Sequence, residues 1–153
     1  MFAVGSPVAW LLGTDPDRFW ARALGEKAPS WSRHLPVISR IKGFEGEPEN
    51  FVVGVDGLRV YLPWDSSLAP TPKGVTVPGP LVEDHYIDVP AEAAPTRGVV
   101  KRVRTVHLGY LEGMPRPGDA ALLDVVEVQR WNSDDEEHDR RFMGFLVDLE
   151  AEH

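Results

Sequence analysis

Histidine and carboxylate side chains are the residues of this chain that could do acid–base chemistry. The five histidines are spread along the sequence without the spacing of a metal-binding pair: His34, His85, His107, His138 and His153. A catalytic histidine needs a carboxylate that orients it and a pocket in which both meet. Asp84, His85 and His107, with Asp134 or His138, would form such a site if the fold brought them together. A small enzyme built on Asp84, His85 and His107 is therefore one hypothesis, and the sequence predicts no metal site and no cofactor.

A run of basic residues is the second feature with chemical potential. Arg97, Lys101, Arg102 and Arg104 place four cations within eight residues, and Tyr110 follows on the same segment. Basic side chains next to aromatic rings can bind single-stranded nucleic acid through phosphate contacts and base stacking. The same cations could steer an acidic protein surface toward the chain. The plainer interpretation is that basic and acidic segments neutralise each other across adjacent strands.

The overall charge opposes a nucleic-acid partner. The chain has 16 Lys and Arg against 24 Asp and Glu, a net charge of −8. Residues 119–153 alone hold 11 acidic and 3 basic side chains, and five of these acids crowd into residues 134–139, which predicts a solvated loop. Because a polyanion would be repelled, binding of single-stranded nucleic acid through residues 97–104 is kept only as an alternative.

A proline-dense stretch is the third feature. Seven of the fourteen prolines lie between residues 63 and 95, and a connection of this length is longer than a minimal loop requires. Trp64, between Pro63 and Asp65, is the tryptophan expected to have a surface role. These observations favour a non-enzymatic binding or adaptor module, whose exposed strands and proline-rich insertion contact another macromolecule, a protein in this hypothesis.

Composition excludes several other classes. The chain has no cysteine, so disulfides, zinc ribbons, iron–sulfur clusters and thiol catalysis are ruled out. It has no GxxxxGK[ST] loop, strand-linked GxGxxG motif, GxSxG elbow or HExxH helix. No stretch has the length of apolar sequence that a membrane span needs, and the first residues lack the pattern of a signal peptide. We therefore expect a cytoplasmic protein without a membrane partner, and the oligomeric state stays open.

The elements that would position these residues are short strands. The dipeptide Asp56-Gly57 between residues 51–55 and 58–62 predicts a hairpin with a type I′ turn. Residues 15–25 predict the principal helix, with Asp15 as its cap and Gly25 as its end. Further strands are expected at residues 2–12, 35–41, 81–89, 98–111, 121–131 and 141–150, with a bulge near Arg104 and Thr105 and a turn at residues 115–119. The fold class predicted is mainly β.

In more detail, the pattern favours a small antiparallel barrel, SH3-like or related, with one short N-terminal helix and the proline-rich insertion at about residues 63–95. Residues 1–153 are expected to form a single domain.

Three segments resemble a bacterial family that is known only as a domain of unknown function. They are Phe2-Ala3-Val4-Gly5-Ser6-Pro7-Val8-Ala9-Trp10, Pro95-Thr96-Arg97-Gly98-Val99-Val100 and Arg141-Phe142-Met143-Gly144-Phe145-Leu146-Val147-Asp148-Leu149. Glu83-Asp84-His85 is similar to an acidic-acidic-His segment of that family. The resemblance covers about a third of the chain and implies a bacterial cytoplasmic protein. It implies no activity.

Overall fold

The computed structural model describes residues 2–83, 90, 92–128, 134 and 139–153, and more than half of these residues lie in β-strands. The mainly β class and the single short helix predicted from the sequence are confirmed. None of the helices in these residues is long and apolar enough to cross a membrane.

The elements have the following bounds. The strands are β1 (Pro7–Trp10), β2 (Leu12–Thr14), β3 (Ser32–Leu35), β4 (Val37–Ile41), β5 (Asn50–Val55), β6 (Leu58–Leu62), β7 (Val75–Pro78), β8 (Leu81–Glu83), β9 (Thr96–Leu111), β10 (Met114–Val125) and β11 (Arg140–Ala151). The helix α1 (Phe19–Leu24) has a single turn of 3-10 helix on each side, Pro16–Arg18 and Gly25–Lys27.

The strands form three sheets. In one, β9 lies between β1 and β10 and also pairs with β11; a second has the order β4-β5-β6-β2-β8; and β3 pairs with β7. β2 runs antiparallel to β8 but parallel to β6, through Leu12 and Val60. In the part of the chain that the structure describes, no sheet closes on itself, so the predicted SH3-like barrel is not confirmed.

The chain divides into two compact units. The first consists of Met1–Val8, Asp17–Pro29 and Val99–Glu150, and the second of Ala9–Pro16, Ser30–Gly98 and Ala151–His153. Each unit buries apolar side chains of its own. In the first, Leu24 of α1 packs with Val106, Leu108, Ala120 and Leu146 of the sheet.

The helix in the first unit, Phe19–Leu24, is shorter than the helix predicted at residues 15–25. Asp17 and Arg18 have φ values of 52° and 57°, so the chain is kinked just before Phe19 and the regular helix begins there. Gly25 ends the helix at a φ of 58°, as predicted. A Cβ at this glycine would overlap the Cα of Gly118, so Gly25 also permits a close approach of β10.

The second unit holds the predicted hairpin. β5 and β6 pair from Phe51 opposite Leu62 to Val55 opposite Leu58. Val53, Val60 and Leu62 are fully buried, together with Leu35 and Val77 from the two-stranded sheet. The inward side chains of this hairpin therefore form the core of the second unit.

The turn of this hairpin differs from the predicted type I′. Such a turn requires positive φ at both central residues, whereas only Asp56 has it, at 51°. Gly57 is required for a different reason, because a Cβ there would overlap the backbone carbonyl oxygen of Glu152. The type I′ assignment is therefore wrong, and the glycine accommodates a neighbouring chain segment.

The proline-dense stretch contributes two strands to the second unit. β7 pairs with β3 from Val75 opposite Leu35 to Pro78 opposite Ser32, and β8 pairs with β2. β8 confirms the first part of the strand predicted at residues 81–89, and it stands at the end of its sheet. Residues 84–89 of that predicted strand lie outside the described residues.

The structure bears on two local predictions for β9 and β10. The pairing of the two strands runs without interruption from Val103 to Leu108, so the predicted bulge at Arg104 and Thr105 is absent from this pair of strands. The turn between the strands is Glu112-Gly113, both at positive φ, and not residues 115–119. The prolines and glycine of 115–119 instead cause an irregular register within β10.

Candidate functional site

An open pocket of about 350 Å³ lies in the second unit, where β5 begins and β6 ends. Binding pockets for small ligands typically measure about 300–1,000 Å³, so this one is large enough for a side chain or a small group. Apolar and proline residues dominate its walls, which are formed by Pro48, Glu49, Phe51, Pro63, Trp64, Ser66, Leu68, Ala69 and Pro70.

Trp64 is the largest side chain of this pocket, and 48% of its surface is exposed. Its position follows from the hairpin register: Phe51 opposes Leu62, so the residues just before β5 lie beside those just after β6. The side-chain oxygen of Asn50 accepts a hydrogen bond of 2.8 Å from the backbone N–H of Trp64. Asn50 is only 7% exposed, so this bond fixes the backbone of Trp64 to the buried end of β5.

The loop after Trp64 is held by its own hydrogen bonds. The N–H of Ser66 donates to the carbonyl oxygen of Pro63 at 2.9 Å, and the N–H of Leu68 donates to Ser66 Oγ at 3.1 Å. Leu68 also packs against the buried core of the second unit. Because serine and proline turn chemistry orders this loop, the pocket wall exists before any ligand arrives.

Glu49 is the acidic residue that lines the pocket. The loop before β5, residues 42–49, carries Glu45, Glu47 and Glu49 besides Lys42, and the loop after β6, residues 63–74, carries Asp65 besides Lys73. Burial, followed by the carboxylates of Asp65 and Glu47, raises the pKa of the Tyr61 hydroxyl above its ordinary 10.0. One cation approaches from β4, where Arg40 Nη1 lies 3.9 Å from Glu49 Oε2 with both side chains more than half exposed.

Basic residues of the run at 97–104, expected to contact a partner, form ion pairs with carboxylates. In the first unit, Arg102 makes a two-pronged hydrogen bond to Asp124, with Nε to Oδ1 at 2.6 Å and Nη2 to Oδ2 at 3.0 Å. This bond lowers the pKa of Asp124 below its ordinary value and raises that of Arg102. Cations and carboxylates therefore pair across neighbouring strands.

The other members of the basic run lie in both units. Lys101 and Arg104 also pair with carboxylates in the first unit, and Arg97 lies in the second. Arg104 Nη2 donates to Asp148 Oδ1 at 2.9 Å, and Lys101 Nζ lies 3.2 Å from Glu150 Oε2. Arg97 belongs to the second unit, where its side chain is exposed and its carbonyl oxygen accepts a hydrogen bond from Glu152 N–H.

Tyr110 is half-buried and engaged on two sides. Its hydroxyl donates to Met143 Sδ at 3.1 Å, and the guanidinium of Arg141 lies over its ring at 4.4 Å from the centroid. A base could stack on this ring only after Arg141 moves away.

The predicted His and carboxylate site falls mostly outside the described residues. Asp84 and His85 are not among them, nor is His138. His107 lies half-buried on β9 with its ring 5.6 Å from that of Phe142. Asp134 Oδ1 accepts a hydrogen bond from the backbone N–H of Phe142 at 2.9 Å.

Sequence reasoning identified Trp64 but missed the other side of its pocket. Pro48, Glu49 and Phe51 carry no motif, and the role of Asn50 depends on its burial at the start of a strand. The available signal was the hairpin itself: with Asp56-Gly57 as its turn, residues 48–51 and 62–65 must meet at the open end.

Comparison with known proteins places residues 1–151 in one family. Neither a curated protein nor a solved structure shows significant similarity to it. The model of a family of unknown function, DUF6578, matches residues 1–151, which confirms the kind of family that the sequence resembles. The chain therefore belongs to the family of unknown function DUF6578.

Proposed function

We propose that this chain is a non-enzymatic binding module that contacts another protein through the pocket beside Trp64. The observation that carries the proposal is the exposed indole of Trp64 at the edge of a preformed apolar pocket. We include in the proposal the bacterial cytoplasmic setting that the family resemblance implies.

The physical support is the usual behaviour of tryptophan at surfaces. A half-exposed indole leaves apolar area in water, and covering it with a partner stabilises the complex. Tryptophan is enriched among the interface residues that dominate binding energy, above all where it borders a concave site. The hydrogen bonds of Trp64, Ser66 and Leu68 hold the pocket in shape, so little conformational freedom is lost when a partner binds.

A protein partner is favoured over a nucleic acid by the state of the basic run. Lys101, Arg102 and Arg104 each have a carboxylate partner on a neighbouring strand. Phosphate contacts would have to replace these ion pairs, and the net charge of −8 would repel a polyanion.

The test is capture of the native partner by wild-type protein and by Trp64→Ala. Removal of an interface tryptophan of this kind costs about 2 kcal/mol or more, which is roughly a 30-fold loss of affinity. Trp31→Ala is the matched control, because Trp31 is 36% exposed in the same unit and does not line the pocket. Equal capture by wild type and Trp64→Ala, with unchanged thermal unfolding, would contradict the proposal.

A further inference from the structure

The pocket beside Trp64 combines an aromatic face with the carboxylate of Glu49. Glu49 lines the pocket itself and is 52% exposed at its side chain. Glu47 precedes it, and Asp65 follows Trp64 directly. Neither of these two residues lines the pocket, so Glu49 supplies its carboxylate.

We propose that this pocket takes a cationic side chain, arginine or lysine, from an extended basic segment of the partner protein. This inference rests on the proposed function, since it names the chemistry of the partner at the same pocket.

Each part of a long basic side chain has a matching group in the pocket. The positive head can lie over the exposed indole of Trp64, an attraction that strengthens as water is excluded. The carboxylate of Glu49 then accepts charge-assisted hydrogen bonds from the same head. The aliphatic stem packs against Leu68 and Pro63, as lysine and arginine stems do on apolar surfaces.

The ion pair between Arg40 and Glu49 is weak enough for a cation of the partner to replace Arg40. Its 3.9 Å separation and the exposure of both side chains, 61% and 52%, describe a weak surface pair. A cation held against Trp64 gains the indole contact as well as the carboxylate, so it competes favourably with Arg40 for Glu49.

Negative ligands are disfavoured at the same place. An acidic segment or a phosphate would meet the carboxylate of Glu49, and the residues that line the pocket include no Lys or Arg. A neutral proline segment could cover Trp64, but it would leave that carboxylate without a role. These two ligand types therefore serve as outcomes in the test.

The experiment uses four short capped peptides and calorimetry on the full chain. The probe is acetyl-Ala-Arg-Ala-Arg-Ala-amide, and its counterparts carry glutamine, glutamate or proline in place of arginine. We expect the arginine peptide to bind at least about tenfold more tightly than the glutamine peptide, and to lose binding in Trp64→Ala. Glu49→Gln should weaken it by about three- to tenfold, whereas Glu26→Gln, an exposed acid of the first unit, should not. Added NaCl should weaken binding to wild type.

Three results would overturn the inference, and the second of them separates it from the proposed function. If the glutamine, glutamate or proline peptide binds as well as the arginine peptide, or if Glu49→Gln has no effect, the pocket does not select a cation. If no peptide binds at millimolar concentration but Trp64→Ala still loses the native partner, the proposed function stands and the cationic ligand is wrong. If Trp64→Ala retains both the partner and the arginine peptide, both proposals fail.

Discussion

The side-chain oxygen of Asn50 accepts a 2.8 Å hydrogen bond from the backbone N–H of Trp64, at a site where Asn50 is almost fully buried. This bond joins the residue that opens β5 to the residue that follows the end of β6. It closes the open end of the hairpin and holds both loops of the pocket at a fixed separation.

The first prediction concerns this bond. Asn50→Ala removes the acceptor and leaves the Trp64 N–H without its partner, which should cost about 1–3 kcal/mol of unfolding free energy. It should also weaken partner capture, since the Trp64 backbone is no longer held. Asn50→Asp keeps an acceptor oxygen and should capture the partner better than Asn50→Ala does. Urea unfolding followed by capture measures both effects, and full capture by Asn50→Ala would show that the bond does not position Trp64.

The second prediction concerns Gly57. Gly57→Ala should destabilise the protein by about 1 kcal/mol or more, because the new Cβ overlaps the carbonyl oxygen of Glu152 and one backbone must shift. Gly13→Ala is a suitable control, because the nearest atom to its Cβ would be 3.9 Å away. In a chain ending at residue 150, Gly57→Ala should cost less. An equal cost with and without residues 151–153 would place the strain in the turn instead.

The third prediction compares two arginines of the basic run. The Arg104 side chain is 15% exposed and bonded to Asp148, whereas that of Arg102 is 49% exposed. Arg104→Ala should therefore lower the unfolding free energy by about 1–3 kcal/mol, and Arg102→Ala should change it little. We expect both variants to capture the partner normally. Lost capture with intact stability would instead make residues 97–104 a partner-binding face.

The fourth prediction concerns alkaline pH. Burial and the nearby carboxylates raise the pKa of Tyr61 above 10.0, so the folded protein holds this proton more tightly than the unfolded chain does. The resulting stabilisation is complete below pH 10 and is lost as the pH rises through the raised pKa. Tyr61→Phe should remove this part of the pH dependence. Urea midpoints of both proteins between about pH 8 and pH 11 provide the measurement, and parallel curves would contradict the assignment.

Features with a local cause were predictable from the sequence. The helix ends at Gly25 because that residue adopts positive φ, and the hairpin pairs around Asp56-Gly57 because a two-residue turn sets its register. The buried side chains of β5 and β6 follow from the same register.

Features that depend on partners distant in sequence were not predictable. Residues 115–119 have strong turn chemistry, but the strands pair on both sides of them, at Pro115 and again from Ala120, so they form an irregular part of β10 and the turn lies at Glu112-Gly113. Thr105 and Val106 are adjacent in β9 and both buried, so the alternation of buried and exposed side chains shifts by one residue there. The pairing with β10 nevertheless has no bulge at this point. For the pocket, the hairpin register was predictable from the sequence, whereas the lining of the pocket by Glu49 and Trp64 was not, because neither residue carries a motif.

The division of the chain has a genetic consequence. The path passes from one unit to the other after residues 8, 16, 29, 98 and 150, so neither unit corresponds to an uninterrupted stretch of coding sequence. A fragment of residues 30–98 would contain the whole pocket, yet it would lack β2, which lies between β6 and β8 in their sheet. Exchange of one continuous gene segment coding for residues 30–98 therefore cannot transfer the Trp64 pocket together with its complete sheet. The segments that code for the two units must be inherited together.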